Sequence, residues 1–247
     1  MLENTFIHIQ GIGHKTERGL WRRGIKSWRQ FLEYDGIIFS KGRDQFVRDE
    51  LAESLNNLGN IGFFAERLST HEMWRVFDSF REKAVYLDIE TSGGYQGVDE
   101  ITVIGIYDGH AVNTFVTGIN LDKFEVAIAE YDLIVTFNGS LFDLPFIRRS
   151  FPNIYLPPGH IDLRFLLKRL GFAGGLKKIE KVFDIKRDPQ IDGMSGYDAV
   201  SLWKSYQWGD RAALDTLIQY NRADIVNLEP LMEIAFDRMK TTLGLEA

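Results

Sequence analysis

Two short runs, Ala84–Glu90 (AVYLDIE) and Ile101–Tyr107 (ITVIGIY), constrain this chain more than any other feature. Both are apolar, rich in β-branched residues and bounded by Gly or Asp, which predicts strands. His110–Val116 and Leu133–Phe137 follow in the same style, so four strands are expected. Between the last two, Leu121–Tyr131 has apolar residues at three- and four-residue spacings and reads as a helix. Residues 141–151, 162–171, 175–183, 197–206 and 210–239 read the same way. A three-strand meander, a helix, a strand and further helices make an α/β or α+β plan.

Upstream of Ala84 the texture differs. Thr16–Gln30, Asp44–Asn57 and Thr70–Phe80 carry helical spacings, punctuated by glycines, with one short strand expected at Gly36–Phe39. The expected division is therefore a helical N-terminal region, 1–80, and an α/β domain, 81–247. With 45% hydrophobic and 26% charged residues among 247, the chain has an ordinary globular composition. It has no cysteine, which excludes disulfides, cysteine zinc sites, iron–sulfur clusters and a thiol nucleophile. His71-Glu72 begins like a zinc-protease helix motif, but Arg75 stands where the second histidine would be. Met1–Gln10 carries Glu3 and no basic segment, unlike a signal peptide. The apolar runs fall far short of the roughly 20 residues of a membrane span. A cytoplasmic protein without a membrane partner is expected.

The acids carry the chemistry. Asp88 and Glu90 sit two apart at the end of the first strand, so their carboxylates project from one face. Asp143 follows Asn138 and Phe142 in Phe137–Phe146, where Pro145 fixes a helix start. Tyr220 and Asp224 stand four apart on one helix face. Singly, each has a plain reading as a solvated strand end, a helix N-terminal charge favoured by the dipole, or a surface helix pair. Asp162 reads as the cap of the helix that follows it.

Taken in order, strand D-x-E, then N-x-x-x-F-D opening a helix, then Y-x-x-x-D resembles the four-acid 3′–5′ exonuclease superfamily, in its tyrosine subgroup. Phe137–Phe146, Asp162-Leu163 and Gly175–Glu180 look more closely like the YprB-type ribonuclease H-like domain. The resemblance covers roughly residues 82–240. It implies a ribonuclease H-like fold, a mixed central sheet flanked by helices, and a metal-dependent 3′–5′ exonuclease. It implies Asp88, Glu90, Asp143 and Asp224 as metal ligands, Tyr220 as the residue orienting the attacking water, and Asn138 and Phe142 beside the terminal nucleotide. The implied cofactors are two divalent metal ions, Mg2+ or Mn2+. Four crowded carboxylates repel one another unless cations neutralise them, and two hard ions about 3.5–4 Å apart would do so.

Net charge, −6, hides an uneven distribution. Residues 164–187 hold eight basic and two acidic residues; residues 1–30 hold six and two. Lys177 and Lys178, beside Gly174-Gly175 at a helix start, are candidate phosphate contacts. Gly11-Ile12-Gly13 with His14 and Lys15 is similar to a helix–hairpin–helix turn, whose glycines let backbone amides approach a phosphate; such units also serve as protein contacts. The expected partner is nucleic acid, DNA or RNA. A nucleic-acid-binding scaffold with weak or no nuclease activity and a structure-selective endonuclease are the competing functional classes.

Overall fold

A computed structural model describes residues 1–94 and 99–245. The N-terminal helices are α1 (His14–Arg22), α2 (Trp28–Leu32), α3 (Lys41–Asn56), α4 (Ile61–Ala65) and α5 (Phe77–Phe80). After them come β1 (Ala84–Thr91), β2 (Ile101–Tyr107), β3 (Val112–Val116), α6 (Phe124–Ile128) and β4 (Leu133–Thr136). The chain continues through α7 (Asp143–Ser150), β5 (Gly159–Asp162), α8 (Leu163–Arg169), α9 (Leu176–Val182), α10 (Gly196–Gln207) and α11 (Arg211–Leu243). The sheet order is β3-β2-β1-β4-β5; β1 runs antiparallel to β2 and parallel to β4, so the sheet is mixed. No helix among the described residues is long and apolar enough to cross a membrane.

Local details depart from the sequence pattern. The expected helix over Thr16–Gln30 is two, because Gly24 takes φ 85° and the chain restarts at a Ser27 capping box with Gln30. Gly36–Phe39 forms no strand, and Thr70–Phe80 is largely a 3-10 turn followed by α5. A fifth strand, β5, was not expected: four residues after Pro157-Pro158 carry too little β signal alone. Its register, Leu133↔Gly159 through Thr136↔Asp162, comes from pairing with β4. Gly159 also lets α4 pack close, since a Cβ there would stand 2.4 Å from Ile61 Cδ1.

The two faces of β1 bury different partners, as period-two alternation requires. Val85, Leu87 and Ile89 pack with Phe124 and Ile128 of α6 and Leu144, Phe146 and Ile147 of α7. Ala84 and Tyr86 face the other way, into a cluster with α8, the second half of α11 and N-terminal residues such as Phe6, Trp28 and Trp74. Asp88 and Glu90 continue that second face, toward the first half of α11. Each fully buried large apolar side chain contributes about 1.5–3 kcal/mol.

Residues 1–80 are also locked by a buried ion network. Arg75 donates to both oxygens of Glu17 at 3.0 Å and to Glu72 at 2.6 Å, and Glu17 also accepts from the Phe6 amide at 2.7 Å. Arg75 and Glu17 are each 1% exposed. The 33-residue α11, about 50 Å long at 1.5 Å per residue, starts at the Asp210 cap and ends at Gly244, φ 69°. Pro230 inside it leaves the Val226 carbonyl without its helical donor.

Candidate metal centre

The centre forms where β1 outruns its parallel neighbour. β4 pairs with β1 only through Tyr86, so the strand end beyond it is open on that side. There the Ile89 amide donates to Asp143 Oδ1 at 3.1 Å, which seats α7 against β1. The register of β1 on β2 shifts between Glu90 and Thr91, a bulge of the kind found beside functional sites. From the opposite side α11 presents Tyr220, Asn221 and Asp224, all buried.

One carboxylate oxygen from each of Asp88, Glu90 and Asp224 lies within 4.8 Å of the others. Asn221 Nδ2 donates to Asp88 Oδ2 at 3.0 Å. That contact depends on Gly105, the β2 residue opposite Asp88, because a Cβ there would fall 1.9 Å from Asn221 Oδ1. Asp224 is ion-paired with Arg187, which also grips Glu180. Tyr220, 4% exposed, accepts a hydrogen bond from Lys177 Nζ at 2.6 Å, and that ammonium sits 4.3 Å from its ring centre.

Charge is concentrated and poorly solvated. Burial, then the carboxylates of Asp143, Asp224 and Glu90, hold Asp88 well above the usual range. Burial and Asp224 do the same to Glu90. Burial pushes Asp143 up to about 7 against the opposing Ile89 hydrogen bond. Asp224 is raised by burial although Arg187 opposes the shift. Glu90 Oε1 is buried with no hydrogen-bond partner among the described residues. An orphaned carboxylate oxygen among three converging acids, all resisting ionisation, suits a hard divalent cation with oxygen ligands.

The structure brings Asp88, Glu90, Asp143, Tyr220 and Asp224 together, with Lys177 beside them. Asn138 has φ 72° and donates its amide to Asp162 Oδ1 at 2.8 Å, while its Oδ1 accepts from Arg164 at 2.5 Å. Asp162 caps α8 as expected, accepting from the Arg164 amide at 3.1 Å. It also holds the loop after β4 through Ser140 at 2.7 Å. Phe142 is 42% exposed, its ring 5.5 Å from that of Phe146. Lys178 is exposed and lies against Gly174. Gly11 (φ 77°) and Gly13, the α1 cap, border a separate cavity of about 420 Å3 with Arg67. Lys15 lines yet another cavity, with Arg18 and Arg22. Sequence reasoning missed Asn221, Gly105 and the Arg187–Glu180 pair; Asn221 had one available signal, adjacency to Tyr220 on a helix.

The model of the RNase_H superfamily matches residues 85–236, more than half of the chain and all five of these residues. The chain belongs to the RNase H superfamily. Among solved structures, this superfamily member is similar to the family B DNA polymerase of the hyperthermophilic archaeon Pyrobaculum calidifontis (16% identity, TM-score 0.48). That match covers 64% of this chain but only 24% of the polymerase. It is also similar to the Nibbler EXO domain of Aedes aegypti (16%, TM-score 0.42), over 71% of this chain and 87% of that one. A third similarity is to Brucella melitensis NrnC bound to pGG (20%, TM-score 0.46), over 68% and 78%. No curated protein matches the chain.

Proposed function

We propose that this RNase H superfamily protein is a metal-dependent 3′–5′ exonuclease of the tyrosine subgroup, acting on nucleic-acid 3′ ends. The observation that carries the reading is the convergence of Asp88, Glu90 and Asp224 within 4.8 Å, with Asp143 and Tyr220 alongside. Those four carboxylates would hold divalent ions, Mg2+ or Mn2+, two in number on the family pattern. Such ions supply a nucleophile at neutral pH and positive charge for the oxygens of the reacting phosphate.

The chain's own residues do the rest. The Tyr220 hydroxyl accepts from Lys177, so its single proton is left to donate, which suits it to orient the attacking water. In the reaction the water oxygen bonds to phosphorus and the bond to the penultimate 3′-oxygen breaks. That oxygen takes a proton as a hydroxyl, the water loses one to solvent, and a nucleoside monophosphate leaves. Asn138 and Phe142, on the family pattern, would lie beside the terminal nucleotide. Lys178, and the N-terminal region 1–80 through Gly11, Gly13 and Lys15, would contact the strand farther away, the latter as a helix–hairpin–helix-like unit. A YprB-type, cytoplasmic enzyme with the 81–247 segment as its catalytic domain completes the reading.

The test is digestion of end-labelled single-stranded DNA and RNA with Mg2+ or Mn2+. Wild type should shorten the strand from its 3′ end. Asp88→Asn/Glu90→Gln should be slower by about a thousandfold, the loss of several kcal/mol of charge stabilisation. Equal rates would sink the assignment.

A further inference from the structure

Next to the metal centre lies a cavity of about 300 Å3, bordered by the basic Lys177, Lys181, Lys186 and Arg187 and by the acidic Glu180, Asp184 and Asp192. Its shape follows from how α9 ends. Asp184 takes φ 54°, and the Ile185 amide returns to the Glu180 carbonyl at 2.9 Å. This is the left-handed helix stop that a short polar side chain tolerates. The reversal sends Lys186 and Arg187 back alongside Glu180.

Arg187 is buried there, its side chain 3% exposed and that of Glu180 2%. Its Nε donates to Glu180 Oε2 and its Nη2 to Oε1, both at 2.7 Å. Asn227 Nδ2 steadies the same carboxylate at 2.8 Å. Nη2 also faces Asp224 Oδ1 as an ion pair. Nη1 is buried with no acceptor among the described residues. An unsatisfied buried donor is costly, and a charged one more so; a counter-ion needed only for Glu180 gains nothing from it. Lys181 and Lys186, on the same cavity, are exposed and form no ion pair among the described residues.

We propose that this cavity is a phosphate subsite in which Arg187 Nη1 donates to a phosphate oxygen and Lys181 and Lys186 supply surrounding positive charge. A guanidinium suits this task, because its planar donors match phosphate oxygens. The inference rests on the reading of the chain as one that acts on nucleic acid. The phosphate is either an internal diester of the strand or the monoester of a mononucleotide. Because the same guanidinium holds Asp224, the subsite and the metal centre share one group.

The test uses the whole protein in EDTA, so that nothing turns over. Calorimetry follows binding of inorganic phosphate, a nucleoside 5′-monophosphate and a single-stranded oligonucleotide. The proteins compared are wild type, Lys181→Glu/Lys186→Glu, and Arg187→Lys, which keeps the charge but loses the fork. The exposed charge reversals should leave the fold intact, weaken phosphate binding about tenfold or more, and flatten the oligonucleotide salt dependence by about 0.7 per lost contact. Arg187→Lys should weaken binding as well. A loss for the mononucleotide alone assigns the monoester, a loss for the oligonucleotide alone assigns the internal diester, and parallel losses show that the subsite takes both. Wild type that binds none of the three probes overturns the subsite. So do variants that bind all three as wild type does; if wild-type oligonucleotide binding persists in them, the nucleic-acid reading survives. Wild type that binds phosphate and mononucleotide but not the oligonucleotide keeps the subsite and removes that reading.

Discussion

At the scale of single residues, the centre depends on a few groups that touch the acids without being acids. Tyr220 is held by Lys177 on its oxygen and by burial of its ring, so its hydroxyl has one direction left for its proton. Burial, followed by the charges of Asp224, Glu90 and Asp88, keeps that phenol un-ionised far above neutral pH. Tyr220→Phe should therefore lower turnover about 10–100-fold, the scale of a misplaced reactant, while Mn2+ affinity measured by calorimetry stays at the wild-type value. A parallel loss of metal affinity would show instead that the ring packs the ligands. Asn221 and Gly105 act as a pair: the amide ties Asp88 only because β2 offers no Cβ opposite.

At the scale of elements, the same facts show what could be read in advance. β1 and β2 were legible because their runs are long, β-branched and cleanly bounded. The Tyr220–Asp224 face was legible because helical spacing survives any packing arrangement. β5 was not, since its four residues become a strand through β4, and the Gly24 break needed a backbone angle that spacing does not report. Arg187 was visible only as one charge in a basic segment; its place beside Asp224 depends on the left-handed turn at Asp184. The Glu17–Arg75 pair joins α1 to the turn preceding α5 and was equally hidden, because its members lie 58 positions apart. Removing one partner of such a buried pair typically costs about 3–5 kcal/mol. Glu17→Ala should lose that much in urea unfolding, and a loss below about 1 kcal/mol would mean that Glu72 alone satisfies Arg75.

For the whole molecule, acidity should act through the N-terminal core. His8 is 5% exposed, packed 5.2 Å from Trp28 and bonded to Ser54 Oγ at 2.9 Å. Burial, aided by Arg67, pulls its pKa down to about 4 from 6.5. The fold therefore prefers the neutral ring. The resulting stability is complete above pH 6.5 and drains away as pH falls toward 4, by about 3 kcal/mol in total. His8→Phe should remove this part of the pH profile in denaturant titrations. A variant profile that still falls as steeply across that window would place the acid sensitivity elsewhere.

One helix joins two of the molecule's cores. α11 carries Tyr220, Asn221 and Asp224 in its first half, and Leu231, Met232, Ala235 and Phe236 in its second. Phe236 lies 6.0 Å from Trp74 and 5.5 Å from Phe77 in the core that the N-terminal region shares. Amide exchange in a helix is slow only while its neighbours stay in place, so the acid-bearing turns, packed on β1 and β2, and the anchor beyond Pro230 should be protected together. The second half of α11 thus ties the acid-bearing helix to the core that the N-terminal region shares.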